Sequence, residues 1–178
     1  MPRYAGPHRR DAGDSATRAK DQTEPEKTRK YQTMTSAQQS SPQAIVERSL
    51  QAQSRLDVEG MFAEMAPDFT IVFPAAPGGP REVTGLETVR EFFTNVTRHM
   101  TPTFALTHIA VHPLADDPER VVAEFAAEGA MVDGQPYENS YLALVTVRDG
   151  KIQRWIEYFN PEPVELALAA LQAAQRPS

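Results

Sequence analysis

Apolar side chains follow two different periods along this chain, and the change between them separates a helical first part from a strand-rich second part. In the first part they recur every three or four residues, as on one face of a helix, and in the second they alternate with polar positions, as on a half-buried strand. The pattern predicts helices over 42–56, 58–65, 86–100 and 164–175. It predicts strands over 69–74, 103–112, 120–131, 137–148 and 151–159.

Capping and turn residues support these boundaries. Ser41-Pro42 is a typical helix start, and Thr84 with Glu87 has the spacing of a capping box for the third helix. Asp149-Gly150 between two alternating runs predicts a tight hairpin. Helices followed by consecutive strands predict an α+β domain, in which a cone-shaped, curved, mixed or antiparallel sheet wraps around three N-terminal helices. Such a cone has an open mouth.

The N-terminal segment differs in composition from the rest of the chain. Residues 1–40 show no hydrophobic period, so we expect a disordered extension before a folded domain at 41–175. Residues 1–33 carry eight Lys/Arg against five Asp/Glu, and the remainder carries a net charge of −9. Met34 is a plausible natural start for the folded part, which makes residues 1–33 either an over-extended N-terminus or a dispensable tail.

Composition excludes several classes of protein. The folded part is too acidic to favour nucleic acid, and no run of 18 apolar residues suggests a membrane span. The chain has no cysteine, which leaves no disulfide or thiolate chemistry and fits a cytoplasmic protein. Phosphate-loop and dinucleotide-binding glycine motifs are missing, so we expect a protein without a cofactor.

Glu157 is the main candidate for chemistry, because it is a lone carboxylate in an aromatic and apolar strand. It shares strand parity with Trp155 and Phe159. If that side faces the cavity, burial would raise the pKa of Glu157 toward neutrality, as a proton shuttle requires. The alternative is a solvated outer glutamate, with Ile156 and Tyr158 inside.

Further polar candidates lie on neighbouring strands. Tyr137, Asn139 and Tyr141 alternate on one face, where they could orient a substrate carbonyl or simply occupy a half-exposed strand. Asn160 could contact a ligand or cap the final turn. Glu124 and Glu128 share another face, which is either turned to a site or to solvent.

The histidines do not form a predicted metal site. Strand parity places His108 and His112 on one face with Leu106, and His108 is either a second proton carrier or a structural residue. Four residues along a strand span roughly 13 Å, which is too far for two ligands of one ion. We therefore expect no metal.

The C-terminal half resembles a known family. The resemblance rests on Tyr137-Glu138-Asn139, Asp149-Gly150-Lys151-Ile152 and Glu157 followed by Asn160-Pro161, with the Asp117-Pro118 turn before Val121–Phe125. In element order and in these segments the chain resembles the nuclear transport factor 2 (NTF2)-like superfamily, specifically its SnoaL-like cyclases and ketosteroid-isomerase-like proteins. It is most similar to the PhzA/PhzB branch of phenazine biosynthesis.

The resemblance implies a role for Glu157 as a cavity acid/base, with Asn160 as its companion. In that branch a histidine and a serine stand on the third helix, where this chain has Phe92 and Val96. Neither replacement can transfer a proton. The resemblance therefore implies a greasier pocket with a carboxylate that acts nearly alone.

The sequence and the resemblance together suggest a cofactor-independent isomerase or cyclase of bacterial secondary metabolism, acting on a hydrophobic carbonyl or polyene substrate. Two alternatives stay open: a ligand-binding or adaptor protein without chemistry, and a dimerisation domain whose cone is filled by side chains. Family likeness also implies a homodimer formed through the sheet. The expected site residues besides Glu157 are Tyr137, Asn139, Tyr141, Asn160, Trp155, Phe92, Phe73, Met61 and His108.

Overall fold

A computed structural model describes residues 40–174 and confirms the predicted α+β class; residues 1–39, including the expected extension, lie outside the described residues. The helices are α1 (Pro42–Ser54), α2 (Val58–Phe62), α3 (Leu86–Thr97) and α4 (Pro161–Ala174). The strands are β1 (Met65–Phe73), β2 (Arg81–Thr84), β3 (Ala105–Pro113), β4 (Arg120–Ala130), β5 (Pro136–Arg148) and β6 (Lys151–Phe159).

All six strands form one mixed, curved and unclosed sheet in the order β2-β1-β6-β5-β4-β3. The strands β3 to β6 form an antiparallel meander, with a hairpin at Asp149-Gly150 between the last two. The last strand, β6, also pairs with β1 in parallel, with Ile71 opposite Trp155. This pairing brings the two ends of the domain together and places β6 in the middle of the sheet.

The core lies between the three N-terminal helices and the inner face of the sheet. Helix α1 buries Ile45, Val46 and Leu50, and α3 buries Val89. On β4 and β5 burial alternates from one side chain to the next, as the sequence pattern predicts. On β5 these inward positions include Ala143, Val145 and Val147.

The predicted starts of the three N-terminal helices are confirmed at residues 42, 58 and 86, but the predicted cap of α3 is not. The Ser41 hydroxyl accepts a hydrogen bond from the Ala44 N–H at 3.2 Å. For α3 the capping box is wrong, because the residue before the helix is Gly85 and no side chain caps it. Thr84 instead ends β2, where its hydroxyl lies 3.0 Å from that of Thr70 on β1. The sequence pattern did not predict β2. It therefore did not predict that Thr84 forms a hydrogen bond with Thr70 on the neighbouring strand.

The C-terminal helix begins earlier than predicted, at Pro161 rather than residue 164. Prolines interrupt a helix only where an N–H is needed for an intrahelical hydrogen bond, and the first turn has no such need. Pro161 and Pro163 both lie in that first turn, so they start the helix instead of preceding it.

A β-bulge in β3 overturns the prediction that His108 shares a face with Leu106. The register with β4 shifts between Thr107 and Ala110, and His108 adopts a φ of 53° in the left-handed region. An extra residue at a bulge reverses the facing of the strand residues beyond it. Leu106 is therefore buried, whereas His108 is exposed on the outer face of the sheet, as is His112.

Candidate functional site

A cavity of about 210 Å³ opens between the inner face of the sheet and the helices. Its walls are mainly apolar and aromatic, with contributions from α3, α4 and four of the strands. Glu157 lies in the wall of this cavity and also borders a deeper void of about 10 Å³. The cone is therefore not filled by side chains.

Glu157 faces the interior of the domain, which is the first of the two orientations considered from the sequence; the other was a solvated outer face. The residue is 8% exposed, whereas its neighbour Tyr158 on the opposite face is 49% exposed. One carboxylate oxygen, Oε2, accepts a hydrogen bond from the Trp155 Nε1–H at 2.9 Å. Burial raises the pKa of Glu157 to about 7, and the Trp155 N–H opposes this rise by stabilising the charged form. Near neutral pH the group can therefore both accept and release a proton.

Two tyrosines on β5 present a hydroxyl pair in the same site. The Tyr137 and Tyr141 hydroxyl oxygens are 2.7 Å apart. Burial raises the pKa of both phenols, and the charge of Glu157 raises each of them further. Both phenols stay protonated at neutral pH and serve as hydrogen-bond donors. One O–H donates to the other, which leaves the second O–H for an oxygen atom in the cavity.

Aromatic packing fixes the position of Tyr141. Its ring stacks on Phe125, with centroids 4.9 Å apart and planes 6° from parallel. Phe159 packs on it from β6 at 6.0 Å. Because Phe125 and Phe159 lie opposite Tyr141 in the strand registers, the sheet itself holds this hydroxyl in place.

Asn139 does not line the cavity, and its side chain is fully engaged within the protein. Its Oδ1 accepts hydrogen bonds from the N–H groups of Ser140 (2.8 Å) and Asn160 (3.1 Å). Its Nδ2 donates to the Asn160 carbonyl at 2.9 Å and more weakly to the Tyr137 hydroxyl at 3.5 Å. A buried amide with all its hydrogen bonds made inside the protein has none left for a ligand. Asn139 therefore joins β5 to the start of α4.

Asn160 takes the capping alternative. It is exposed, and its Oδ1 accepts a hydrogen bond from the Glu162 N–H at 3.2 Å. The helix that it begins lies along the cavity mouth, where Val164, Ala167 and Leu168 line the opening.

The predicted site residues thus fall into four groups. Phe73, Phe92, Tyr137 and Tyr141 line the cavity with Glu157, and Trp155 and Met61 line the deeper void beside it. Asn139 and Asn160 do not line the cavity and instead join β5 to the start of α4. His108 and Glu124 lie on the outer face, against a shallow depression of about 580 Å³. Glu128 is likewise exposed there, where its Oε1 accepts a hydrogen bond from the Thr107 hydroxyl at 3.0 Å.

Four polar residues of the cavity were not predicted from the sequence: Gln53, Arg81, Thr97 and His99. Gln53 and His99 lie on α1 and just after α3, among residues whose periodicity indicates only a helix. Arg81 belongs to the unpredicted strand β2. A long turn cluster before it, 74–80, hides the start of that strand.

Residues 40–174 contain no cluster of His, Cys, Asp and Glu arranged to hold a metal ion. Within the same range, no helix combines the length and apolar character needed to cross a membrane.

Residues 46–155 match the SnoaL-like domain family, and the chain belongs to that family. The matched segment ends at Trp155, two residues before Glu157. The uncharacterized protein YesE of Bacillus subtilis is 32% identical over 97 residues, which cover 53% of this chain and 65% of that protein. The chain thus spans slightly less than two thirds of this relative. An uncharacterized PhzA/B-like protein of Pseudomonas aeruginosa is 28% identical over 134 residues, 74% of this chain and 93% of the relative.

Solved structures share the fold. A candidate isomerase from Bacillus subtilis superposes with a TM-score of 0.62 at 25% identity, covering 70% of this chain and 90% of its own. A candidate polyketide cyclase from Xanthomonas campestris gives a TM-score of 0.61 at 24% identity, with coverages of 71% and 96%. A phenazine biosynthesis-related protein from Pseudomonas aeruginosa gives 0.61 at 20%, with coverages of 78% and 91%. The fold is that of the NTF2-like superfamily.

Proposed function

We propose that this protein is a cofactor-independent isomerase or cyclase, in which Glu157 moves a proton on a hydrophobic carbonyl-bearing substrate. The observation that carries the proposal is a single buried carboxyl group with a pKa of about 7 in the wall of an apolar cavity. Perturbed acids of this kind concentrate at sites of acid/base chemistry.

The geometry supports proton abstraction next to a carbonyl group. The Glu157 carboxylate removes a proton from the carbon adjacent to the carbonyl, and the electron pair moves onto the oxygen to form an enolate. The free O–H of the Tyr137–Tyr141 pair donates a hydrogen bond to that oxygen. Where a C=C bond adjoins the deprotonated carbon, protonated Glu157 returns the proton to the far carbon of that bond, which moves the double bond and gives isomerisation. Alternatively, the enolate carbon attacks a second carbonyl of the same molecule, the carbonyl oxygen takes the proton from Glu157, and a ring closes.

The size of the cavity sets the size of the proposed substrate. Pockets for drug-sized ligands have volumes of roughly 300–1,000 Å³. At about 210 Å³ this cavity suits a substrate of one or two rings. The apolar Phe92 and Val96 face it from α3, so the substrate should be hydrophobic on that side.

The comparisons support the same class of reaction. Proteins of this fold include a candidate isomerase, a candidate polyketide cyclase and a phenazine biosynthesis-related protein. By analogy with these proteins, we place the activity in bacterial secondary metabolism.

Exchange of α-protons in deuterated water tests the proposal without knowledge of the natural substrate. Cyclohexanone, a small apolar ketone, exchanges its α-protons slowly in neutral buffer, and proton NMR follows the exchange. We expect the protein to accelerate exchange, and Glu157→Gln to reduce the enzymatic rate by about 10²–10⁴-fold.

The matched control is Glu124→Gln, which alters an exposed carboxylate on the outer face of the sheet and should leave the rate unchanged. Equal rates for wild type and Glu157→Gln would contradict the proposal and favour the alternative, a non-catalytic ligand-binding protein on the same fold.

The outer face of the sheet supports a homodimer. Leu142 and Tyr158 lie directly opposite each other on β5 and β6, and they are 46% and 49% exposed. Ile156 and Leu144 form the next pair on the same face. The first pair is exposed and the second is half-buried, and a contiguous apolar patch of this kind on a sheet is typical of protein–protein contacts. We assign this face to a second copy of the chain.

A further inference from the structure

Arg81 places a positive charge on the cavity side of the sheet edge. In the register between β1 and β2, Arg81 lies opposite Phe73, and Val83 lies opposite Ile71. Directly opposed residues of antiparallel strands point to the same face. Phe73 and Ile71 are buried on the inner face of the sheet. The side chain of Arg81 therefore leaves the backbone on the inner face as well, and it borders the cavity.

The neighbouring charged residue of β2, Glu82, lies on the outer face of the sheet. Glu82 lies opposite Val72 and forms an ion pair with Arg154 on β6, with the Nη2 and Oε2 atoms 3.1 Å apart. Arg81 takes part in none of the ion pairs formed by the described residues, although five other arginines do: Arg48, Arg90, Arg120, Arg148 and Arg154. Among the described residues that line the cavity, Arg81 carries the one permanent positive charge.

Arg81 and Glu157 border the same cavity but differ in burial. Phe73 lies opposite Arg81 on β2, and the parallel register that pairs Ile71 with Trp155 and Val72 with Ile156 brings Phe73 level with Glu157. With strands about 4.8 Å apart, the backbones of Arg81 and Glu157 are roughly 10 Å apart across β1. Arg81 is exposed at the edge of the sheet, whereas Glu157 is 8% exposed, and no cation is among the causes of its raised pKa. The cavity therefore has a buried carboxyl group on β6 and an exposed guanidinium at the sheet edge, which we call its mouth.

We infer that the substrate is amphipathic: an apolar, carbonyl-bearing body that enters the cavity and a carboxylate that stays at the mouth on Arg81. A guanidinium presents two parallel N–H donors that match a carboxylate, and one fixed charge balances one monoanion. This inference rests on the proposed function, because it treats the cavity as the substrate site. It narrows the substrate class to hydrophobic keto acids.

A matched pair of probes tests the inference by binding alone. 8-Bromooctanoate and 8-bromo-1-octanol share an apolar tail and a bromine atom, which quenches tryptophan fluorescence at short range. Trp155 is the only tryptophan of the chain, and it lies beside Glu157. Quenching of Trp155 therefore reports entry of the tail, and the two head groups isolate the effect of charge.

We expect the acid to bind wild type more tightly than the alcohol. Arg81→Gln should raise the Kd of the acid about tenfold and leave that of the alcohol unchanged, because a charge-assisted hydrogen bond at an exposed site is lost. Arg81→Lys, which keeps the charge, should restore part of the affinity. Arg148→Gln removes the same charge at the hairpin end of the sheet, away from the mouth, and should change neither Kd.

Other outcomes would overturn the inference in distinguishable ways. If Arg81→Gln leaves the affinity for the acid unchanged, or weakens the binding of both probes equally, Arg81 does not bind the carboxylate. The anion site is then refuted, while the proposed function stands. If neither probe quenches Trp155 in wild type, the cavity does not accept apolar chains, and the proposed function fails together with the inference.

Discussion

The pKa of Glu157 depends mainly on burial and, in the opposite direction, on one hydrogen bond. Burial opposes ionisation, and the Trp155 N–H favours it, so the pKa of about 7 is a compromise between the two. A donor two residues away on the same strand and face is a consequence of the two-residue period of β6. The pair can therefore be treated as one unit.

Removing the tryptophan donor should shift the pH dependence of catalysis. In the proposed mechanism the Glu157 carboxylate removes the α-proton of the ketone, so the wild-type exchange rate should rise with pH and level off above a midpoint near 7. In Trp155→Phe the charged form loses its N–H donor, and the midpoint should move to higher pH. Cyclohexanone exchange measured from pH 5 to 9 gives both midpoints. An unchanged midpoint would show that the hydrogen bond has no influence on the acid.

The buried acid should also lower stability at neutral pH. Because the folded-state pKa of Glu157 is raised from 4.5 to about 7, the native protein holds a proton that the unfolded chain has lost between these values. Stability from this group is therefore full below pH 4.5, falls as pH rises toward 7, and stays low above it.

Glu157→Gln removes this penalty and should stabilise the protein by about 1–3 kcal/mol at pH 8. Urea unfolding measures the difference. The gain should shrink at pH 5, where the wild-type group is protonated in the native state. A gain of equal size at both pH values would contradict the assigned ionisation.

At the scale of elements, the junction between β6 and α4 is held by the side-chain amide of Asn139, which forms the hydrogen bonds that a neighbouring strand backbone would form. Asn139 bonds to both the N–H and the carbonyl of Asn160, as a backbone partner would. Asn139→Ala removes these bonds and should destabilise the protein by about 2–4 kcal/mol. Thermal or urea unfolding tests this.

Two neighbouring variants serve as controls for Asn139→Ala. Asn160→Ala loses only the cap on Glu162 and should cost about 1 kcal/mol. Glu138→Ala changes an exposed residue of β5 and should have an effect within about 0.5 kcal/mol. If Asn139→Ala is no worse than Asn160→Ala, the junction is held by other contacts.

Elements with strong local signals could be predicted, and those set by distant partners could not. The alternation along β4, β5 and β6 and the Asp149-Gly150 turn predict the meander and which residues share a face, such as Glu157 with Trp155 and Tyr137 with Tyr141, but not which of the two faces points inward. The parallel pairing of β1 with β6 joins distant segments and leaves no local trace. The short edge strand β2 was missed for a different reason: it has four residues, none of them buried, directly after the turn cluster 74–80, so it shows no alternation. Arg81 was missed with it. The bulge at His108 reverses a face without any change in composition.

At the scale of the whole molecule, the two faces of the sheet have different proposed tasks: the inner face holds the cavity and the outer face binds a second copy. Wild-type protein should therefore sediment as a dimer. Leu142→Lys should give monomers, because it places a charge in the interface; within one chain the new lysine lies opposite Glu124 and is tolerated. Sedimentation velocity measures the change.

The control for the dimer is Leu166→Lys, which alters an equally apolar residue on α4 that is 62% exposed. It should leave the dimer intact. A monomeric wild type, or a dimer that resists Leu142→Lys, would remove the outer face from the interface.

The two hydrogen bonds between Asn139 and Asn160 have a consequence for how the cavity should open. The residue before α4 is tied to the sheet, while the helix beyond it lies over the mouth through Val164, Ala167 and Leu168. We expect such a helix to move as a hinged flap, with its pivot at Asn160 and its largest excursion at the far end. The amide of Asn160 should then exchange its hydrogen as slowly as the sheet, with exchange becoming faster along α4. Substrate should enter beneath the free end of that flap, past Leu168.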